Sequence, residues 1–417
     1  MRQRWLIMAG LLSLALTAHA QEHWPEYRGP NADGHSTARG LPLTWSDTRN
    51  VKWKTPIPGR GWSTPVIWGE QIWLTTATPD GREMFVLCVH RDTGKILLNR
   101  RLFTNAEPDP IHDLNSYASP SPVIEPGRVY VHFGNYGTAC LDTRTFRVIW
   151  ERRDLQCRFS VGPGSSPILY RDRLILTMDG IDRQSVIALD KRTGRTVWQQ
   201  TRSVIREKSR NGETSERHKA FHTPVLARVN GRVLLISPAA QGAYAYDPDT
   251  GEEVWRVQHD GYSGSSRTLL YGDLALINTG FDWGNLLAVR MDGRGDVTRS
   301  HVVWKVSRAV PFKVSPLLID GLVYLLNDNG ILTCLDAKTG AEVWKERLGG
   351  QYSASLLYAD GRIYCCSEDG RIRVIRPGRR FELLAENVMP EGCMASPVAV
   401  GRALYLRTKT HLYRIEQ

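Results

Sequence analysis

The chain has 417 residues, 41% of them apolar and 23% charged, and a formal net charge of +11. That balance excludes a disordered chain, a collagen-like repeat and a short disulfide scaffold. It leaves room for two or three average domains or one large β-domain.

The N-terminus reads as a removed secretory signal. Arg2 and Arg4 precede an apolar stretch from Trp5 to Ala15, and Ala18-His19-Ala20 supplies a small-x-small cleavage site. The expected mature chain starts at Gln21, is exported to the periplasm or beyond, and carries no transmembrane segment. Residues 21–44 form an N-terminal extension, and 45–417 form the folded domain. The first cysteine is Cys88, so no lipid anchor is expected at the cleavage site. Lys and Arg are scattered, and the densest run, Arg202 to Lys219, is interleaved with Glu207, Glu213 and Glu216. No nucleic-acid-binding motif accompanies it, so the excess charge reads as a solvated surface and nucleic acid is not an expected partner.

A repeat dominates the rest of the chain. Cys88 opens a weak copy that keeps Thr93-Gly94 but has His90 and Leu98 where later copies have Asp and Trp. Cys140-Leu141-Asp142 runs to Trp150 with Phe146 at the Gly position; Ala188-Leu189-Asp190 runs through Thr193-Gly194 to Trp198. Ala245-Tyr246-Asp247 runs through Thr250-Gly251 to Trp255, and Cys334-Leu335-Asp336 through Thr339-Gly340 to Trp344. Ala288, Val374 and Tyr413 open degenerate copies. The eight openings lie 39 to 57 residues apart, near the length of one four-stranded propeller blade.

Each repeat has an upstream half in which a small-x-Pro cluster leads into two short apolar runs split by a tight turn. Examples are Ser63-Thr64-Pro65, Ser315-Pro316 and Ser396-Pro397. Such runs are hairpin strands. In the Asp-x-x-Thr-Gly turn, Asp can bond nearby N–H groups and Gly can take a positive φ. The Trp then falls on the outer strand, where its ring can cover the gap between blades. The last repeat lacks an outer strand, and Val51-Lys52-Trp53-Lys54 is a spare one. Together these predict an all-β, eight-bladed propeller of four-stranded antiparallel blades, closed by the N-terminal strand.

The Ala/Cys-Leu-Asp-x-x-Thr-Gly-x-x-x-Trp element resembles the tryptophan-docking repeat of pyrroloquinoline-quinone (PQQ)-type propellers, over roughly residues 45–417. That superfamily includes quinoprotein alcohol dehydrogenases and the propeller subunit of the outer-membrane protein assembly machine. Trp24-Pro25-Glu26-Tyr27-Arg28-Gly29-Pro30-Asn31 with Asp33-Gly34 is also similar to exported PQQ-like repeat proteins of planctomycete-type bacteria. The assembly subunit is usually a lipoprotein, and this chain departs from it in lacking a cleavage-site Cys. The dehydrogenase resemblance would imply PQQ with Ca²⁺, an Asp base and adjacent cysteines in a strained ring. Cys365-Cys366 is adjacent, but it falls on a strand whose side chains alternate, which puts the two thiols on opposite faces. No catalytic residue carries over. The eleven His show no His-x-x-x-His or Cys-x-x-Cys spacing, so no metal site is expected.

Chemistry in such a fold belongs where the loops joining outer to innermost strands converge. Those loops bring Trp62, His112, Asn115, Tyr117, Arg158, Lys219, His222, Tyr262, Arg267, Lys313 and Tyr352 to one mouth. Aromatics stack and cations pair with carboxylate or phosphate, which would suit a flat, anionic or polyhydroxylated ligand. The functional expectation is a monomeric, non-catalytic binding or assembly scaffold of the cell envelope that meets a protein partner or envelope ligand. A PQQ- and calcium-dependent dehydrogenase is the alternative, and a glycan-binding propeller the second.

Overall fold

A computed structural model describes residues 23–203, 216–282 and 284–417. The expected signal segment and most of the Arg202–Lys219 run lie outside the described residues. The fold is an eight-bladed β-propeller, each blade built on four strands paired in chain order. The first blade comprises Val66–Trp68, Gln71–Ala77, Glu83–His90 and Ile96–Thr104. The innermost strands of the next seven are Val123–Glu125, Ile168–Tyr170, Val225–Val229, Leu269–Tyr271, Leu317–Ile319, Leu357–Ala359 and Val398–Val400. The ring closes as the sequence requires: Val51–Pro56 is the outer strand of the eighth blade and pairs antiparallel with His411–Ile415, Trp53 opposite Arg414.

The repeat residues do the work expected of their types. Asp336 Oδ1 accepts from the Lys338 and Thr339 N–H groups at 3.1 Å each and from the Thr339 hydroxyl at 3.0 Å. Asp142 and Asp190 do the same in their turns, and in the first blade His90 Nδ1 takes the role, accepting from Asp92 N–H at 3.2 Å. Gly94, Gly194, Gly251 and Gly340 all have φ between +70° and +79°. A Cβ at any of them would lie 2.7–2.8 Å from the ring of Trp53, Trp150, Trp198 or Trp304 respectively. Each ring belongs to the preceding blade, so Trp and Gly form a contact across the blade junction. A β-bulge beside the Trp aims it there.

One junction is built in reverse. Leu98 stands where the Trp should be, and Phe146 (φ +61°) where the Gly should be; both pack on the same core cluster, with Phe146 edge-on to Trp73. The ring that fills this gap comes from the following blade instead of the preceding one.

The N-terminal segment threads the channel. His23–Trp24 pairs with the innermost strand of the first blade, His23 opposite Trp68. The chain rises past the second blade, where the Pro25 carbonyl accepts from Ile124 N–H at 2.8 Å, and turns at residues 26–29. It then descends along the sixth, seventh and eighth blades: Ser36 N–H donates to the Tyr358 carbonyl and Arg39 N–H to the Gly401 carbonyl. Arg28 is buried and donates to the carbonyls of Leu356, Pro316 and Asp33. Burial lowers its pKa to about 10. Gly29 and Gly34, both at positive φ, let the turn pack against Trp24 and Arg28, which a Cβ would strike.

Candidate functional site

Two residues before each innermost strand stands one residue that points its side chain at the neighbouring blade. Thr64 N–H donates to Ser121 Oγ, Ser121 N–H to Ser166 Oγ, and Ser166 N–H to Thr223 Oγ1, at 2.9–3.0 Å. Arg267 N–H donates to Ser315 Oγ, Ser315 N–H to Ser355 Oγ, and Ser355 N–H to Ser396 Oγ, at 2.9–3.0 Å. Ser396 N–H returns to Thr64 Oγ1 at 3.3 Å. Seven hydroxyls thus form a hydrogen-bonded circle around the channel, all of them buried.

The eighth position is Arg267. Its guanidinium donates to the Pro224 carbonyl at 2.9 and 3.1 Å, to the Tyr27 carbonyl, and to Glu26 at 3.4 Å. The residue that interrupts the circle is therefore the one that grips the turn of the N-terminal segment. The Tyr27 hydroxyl, at the tip of that turn, lies 3.1 Å from Ser315 Oγ and 2.9 Å from Ser355 Oγ.

Above the circle lies a cavity of about 520 Å³. Its floor is Tyr27 with Thr64, Ser121, Ser166, Thr223 and Ser396; its walls carry Trp62, Phe221, Tyr262, Phe281 and Phe312. Tyr262, Phe281 and Phe312 form a run of edge-on rings with centroids 5.7 and 5.2 Å apart. Trp62 donates its Nε1–H to the Leu114 carbonyl at 3.0 Å and lies under the Arg60 guanidinium at 5.2 Å.

Both cavity lysines are already neutralised. Lys219 donates to Glu216 and to Ser160 Oγ. Partial burial works to raise the Glu216 carboxyl, but the Lys219 and Ser160 hydrogen bonds hold it below the usual range. Lys313 lies 3.2 Å from Glu368 and 3.6 Å from Asp328. Asp328 is raised by burial, opposed by the Phe312 N–H bond and Lys313.

Of the expected site residues, Trp62, His112, Asn115, Lys219, Tyr262 and Lys313 line this cavity together. Asn115 reaches across to the Val161 and Pro163 carbonyls, tying two mouth loops at 2.7 and 3.2 Å. The other five sit elsewhere. Tyr117 is buried against Tyr136, its hydroxyl donating to the Asp109 carbonyl. Arg158 is exposed and is not among the residues that line the cavity. His222 is buried with Nδ1 at 2.6 Å from the Ser266 carbonyl, and Tyr352 is buried and receives Arg373 at 2.7 Å. Arg267 serves the plug. Tyr27, Phe281 and the hydroxyl circle were not singled out from sequence. The circle had a signal, a Ser or Thr before Pro65, Pro122, Pro167, Pro224, Pro316 and Pro397.

A family model described as "Outer membrane protein assembly factor BamB" matches residues 43–241 and 239–379. The chain belongs to this PQQ-like propeller family. It is 24% identical to the BamB of Yersinia pestis over 52% of this chain and 53% of that protein. It is 26% identical to the BamB of Alkalilimnicola ehrlichii over 51% of each. The chain thus spans about half the length of the curated relatives it matches. Among solved structures, the quinohemoprotein alcohol dehydrogenase of Comamonas testosteroni aligns with a TM-score of 0.69, 13% identity, 96% of this chain and 81% of that one. BamB from Moraxella catarrhalis aligns at 0.59, 13% identity, 87% and 99%. At these identities the structures share the fold.

The resemblance of the repeat to quinoprotein dehydrogenases would imply a quinone with calcium, and the residues of the cavity do not fit them. Ca²⁺ takes six to eight oxygen ligands with several carboxylates, whereas Asp328 is the one acid among the lining residues, and Phe312 N–H and Lys313 engage it. Among the described residues no cluster of three His, Cys, Asp or Glu could hold a metal. A tricarboxylated quinone needs unpaired cations, and both lysines have carboxylate partners. Cys365 packs on the core between the sixth and seventh blades and Cys366 on the core between the seventh and eighth, so these neighbours face apart.

Proposed function

We propose that this chain is a non-catalytic binding scaffold of the cell envelope whose loop-rich end engages a protein partner. The rim of the cavity carries the reading: Leu114 and Phe281 are 48% and 45% exposed beside the half-buried Trp62 and Phe312. An apolar aromatic cluster in water, rimmed by polar groups, marks a protein contact. Membership of a family described by an outer-membrane assembly factor supports the same reading, as does the secretory signature of residues 1–20. No helix among the described residues is long and apolar enough to cross a membrane.

The test is crosslinked capture from envelope preparations of the native cell, with the full chain and with Leu114→Ala/Phe281→Ala. Enrichment of an outer-membrane assembly component by the full chain, lost in the variant, is the expected result. Equal capture by both would place the partner surface elsewhere.

A further inference from the structure

We infer that the cavity binds an uncharged saccharide ring, seated on the hydroxyl circle and stacked against the aromatic walls. This deepens the reading of the mouth as the binding end and rests on it.

The floor sets the ligand's polar chemistry. Each circle hydroxyl accepts one backbone N–H from the preceding blade, which leaves it a proton and a lone pair. At Thr64, Ser121, Ser166, Thr223 and Ser396 no acceptor among the described residues takes that proton, although all five are at least nine-tenths buried. A buried hydroxyl is costly to leave half-used. Its natural complement is another hydroxyl, which can donate and accept at once.

The chain shows what the circle accepts. On the sector formed by Ser315 and Ser355, the floor is occupied by Tyr27, a flat ring that sets one hydroxyl between two circle oxygens. A sugar ring does the same with several hydroxyls, and the five open positions span the remaining sector.

Charge and shape narrow the class further. An anion would have to break the Lys219–Glu216 or the Lys313–Glu368 pair to find a cation, so the site selects against carboxylates and phosphates. Trp62, Phe221, Tyr262, Phe281 and Phe312 put aromatic surface on the cavity wall, against which the C–H groups of a pyranose can pack. The cavity volume of about 520 Å³ falls within the usual range for small-molecule sites, roughly 300–1,000 Å³. A phenyl group alone would fill the walls but leave the five hydroxyls unanswered.

The test is calorimetric titration of the full chain with maltose, cellobiose and N,N′-diacetylchitobiose, and with galacturonic acid and N-acetyltyrosinamide as comparators. Saturable binding of at least one neutral disaccharide, with Kd at or below about 1 mM, is expected. Trp62→Ala should weaken it at least tenfold with an unchanged melting temperature. Thr223→Val should weaken it similarly while Thr223→Ser retains it; if the valine variant does not fold, Trp62→Ala decides. Binding of a comparator alone, no binding at all, or neutral binding indifferent to Trp62→Ala overturns the proposal. The titration uses the purified chain without envelope and partner capture uses envelope without added sugar, so either reading can fail while the other stands.

Discussion

Trp198 lies against Gly251 of the next blade, its Nε1–H donating to the Pro248 carbonyl at 3.2 Å. Gly251→Ala would force an L side chain into φ +79° and place a Cβ 2.7 Å from the indole. Left-handed strain of about 1–2 kcal/mol adds to the cost of displacing the ring. A loss of roughly 2–3 kcal/mol is expected in urea unfolding, and a loss below about 0.5 kcal/mol would show that the contact contributes little.

The reversed junction predicts non-additivity. Leu98→Trp alone crowds Phe146, and Phe146→Gly alone removes the ring that fills the gap. Together they recreate the Trp–Gly pair of the other junctions. The double variant should be more stable than the sum of the singles by about 1–2 kcal/mol; additive losses would mean that the two residues are independent.

Arg267 exchanges one bond of the circle for a hold on the plug. Arg267→Ser supplies the missing hydroxyl to Thr223 N–H but releases the Tyr27 carbonyl and Glu26. Faster amide exchange across residues 23–36, with the blades unchanged, is the expected outcome. Unaltered exchange there would show that Arg28 and the strand pairing suffice.

Two buried histidines make stability depend on pH. Burial lowers His132 to about 4, and lowers His222 to about 4 with the Arg202 charge assisting and the Ser266 carbonyl opposing. Their folded pKa values lie below the unfolded value of about 6.5, so the unfolded chain binds more protons between pH 4 and 6.5. Stability therefore falls as pH drops through that window and levels off below it, by up to about 3 kcal/mol per histidine. Urea midpoints at pH 7 and 4.5 check this; His222→Gln should flatten the slope, and an unchanged slope would exonerate His222.

Titration with PQQ plus Ca²⁺ separates the scaffold from the dehydrogenase reading. No saturable change in quinone absorbance is expected, because the cavity cations are paired. Tight binding followed by dye reduction on adding an alcohol would reverse the assignment.

The blades were legible because their determinants are local. Asp142, Asp190 and Asp336 bond residues two and three positions on, and the unpaired strand at Val51 had one vacancy to fill. The cavity was legible by loop but not by side chain. Membership of a mouth loop brought His222, Arg267 and Tyr352 to the right height, yet their directions are set by burial against neighbouring blades. The neutralising partner Glu368 was invisible as such, since it reaches Lys313 across 55 residues of sequence, whereas Glu216 stands three residues before Lys219. The N-terminal pattern was readable as a likeness alone. Its meaning, a turn gripped by Arg267 and capping Ser315 and Ser355, depends on contacts some 240 to 330 residues away.

Plug and clasp are one continuous stretch of chain. Residues 23–39 run along the channel, 43–45 reach Asn387 on the outer strand of the seventh blade, and Val51–Pro56, a few residues later, completes the last blade. The final junction can form only after His411–Ile415 exists to meet it, so the most sequence-distant pairing in the molecule is also its lock, a topology that slows folding. When it shuts, the threaded segment is enclosed by a continuous wall of strands. The molecule is consequently no open tube: its own chain fills the axis, and whatever enters the mouth meets a floor built by Tyr27 and the hydroxyl circle.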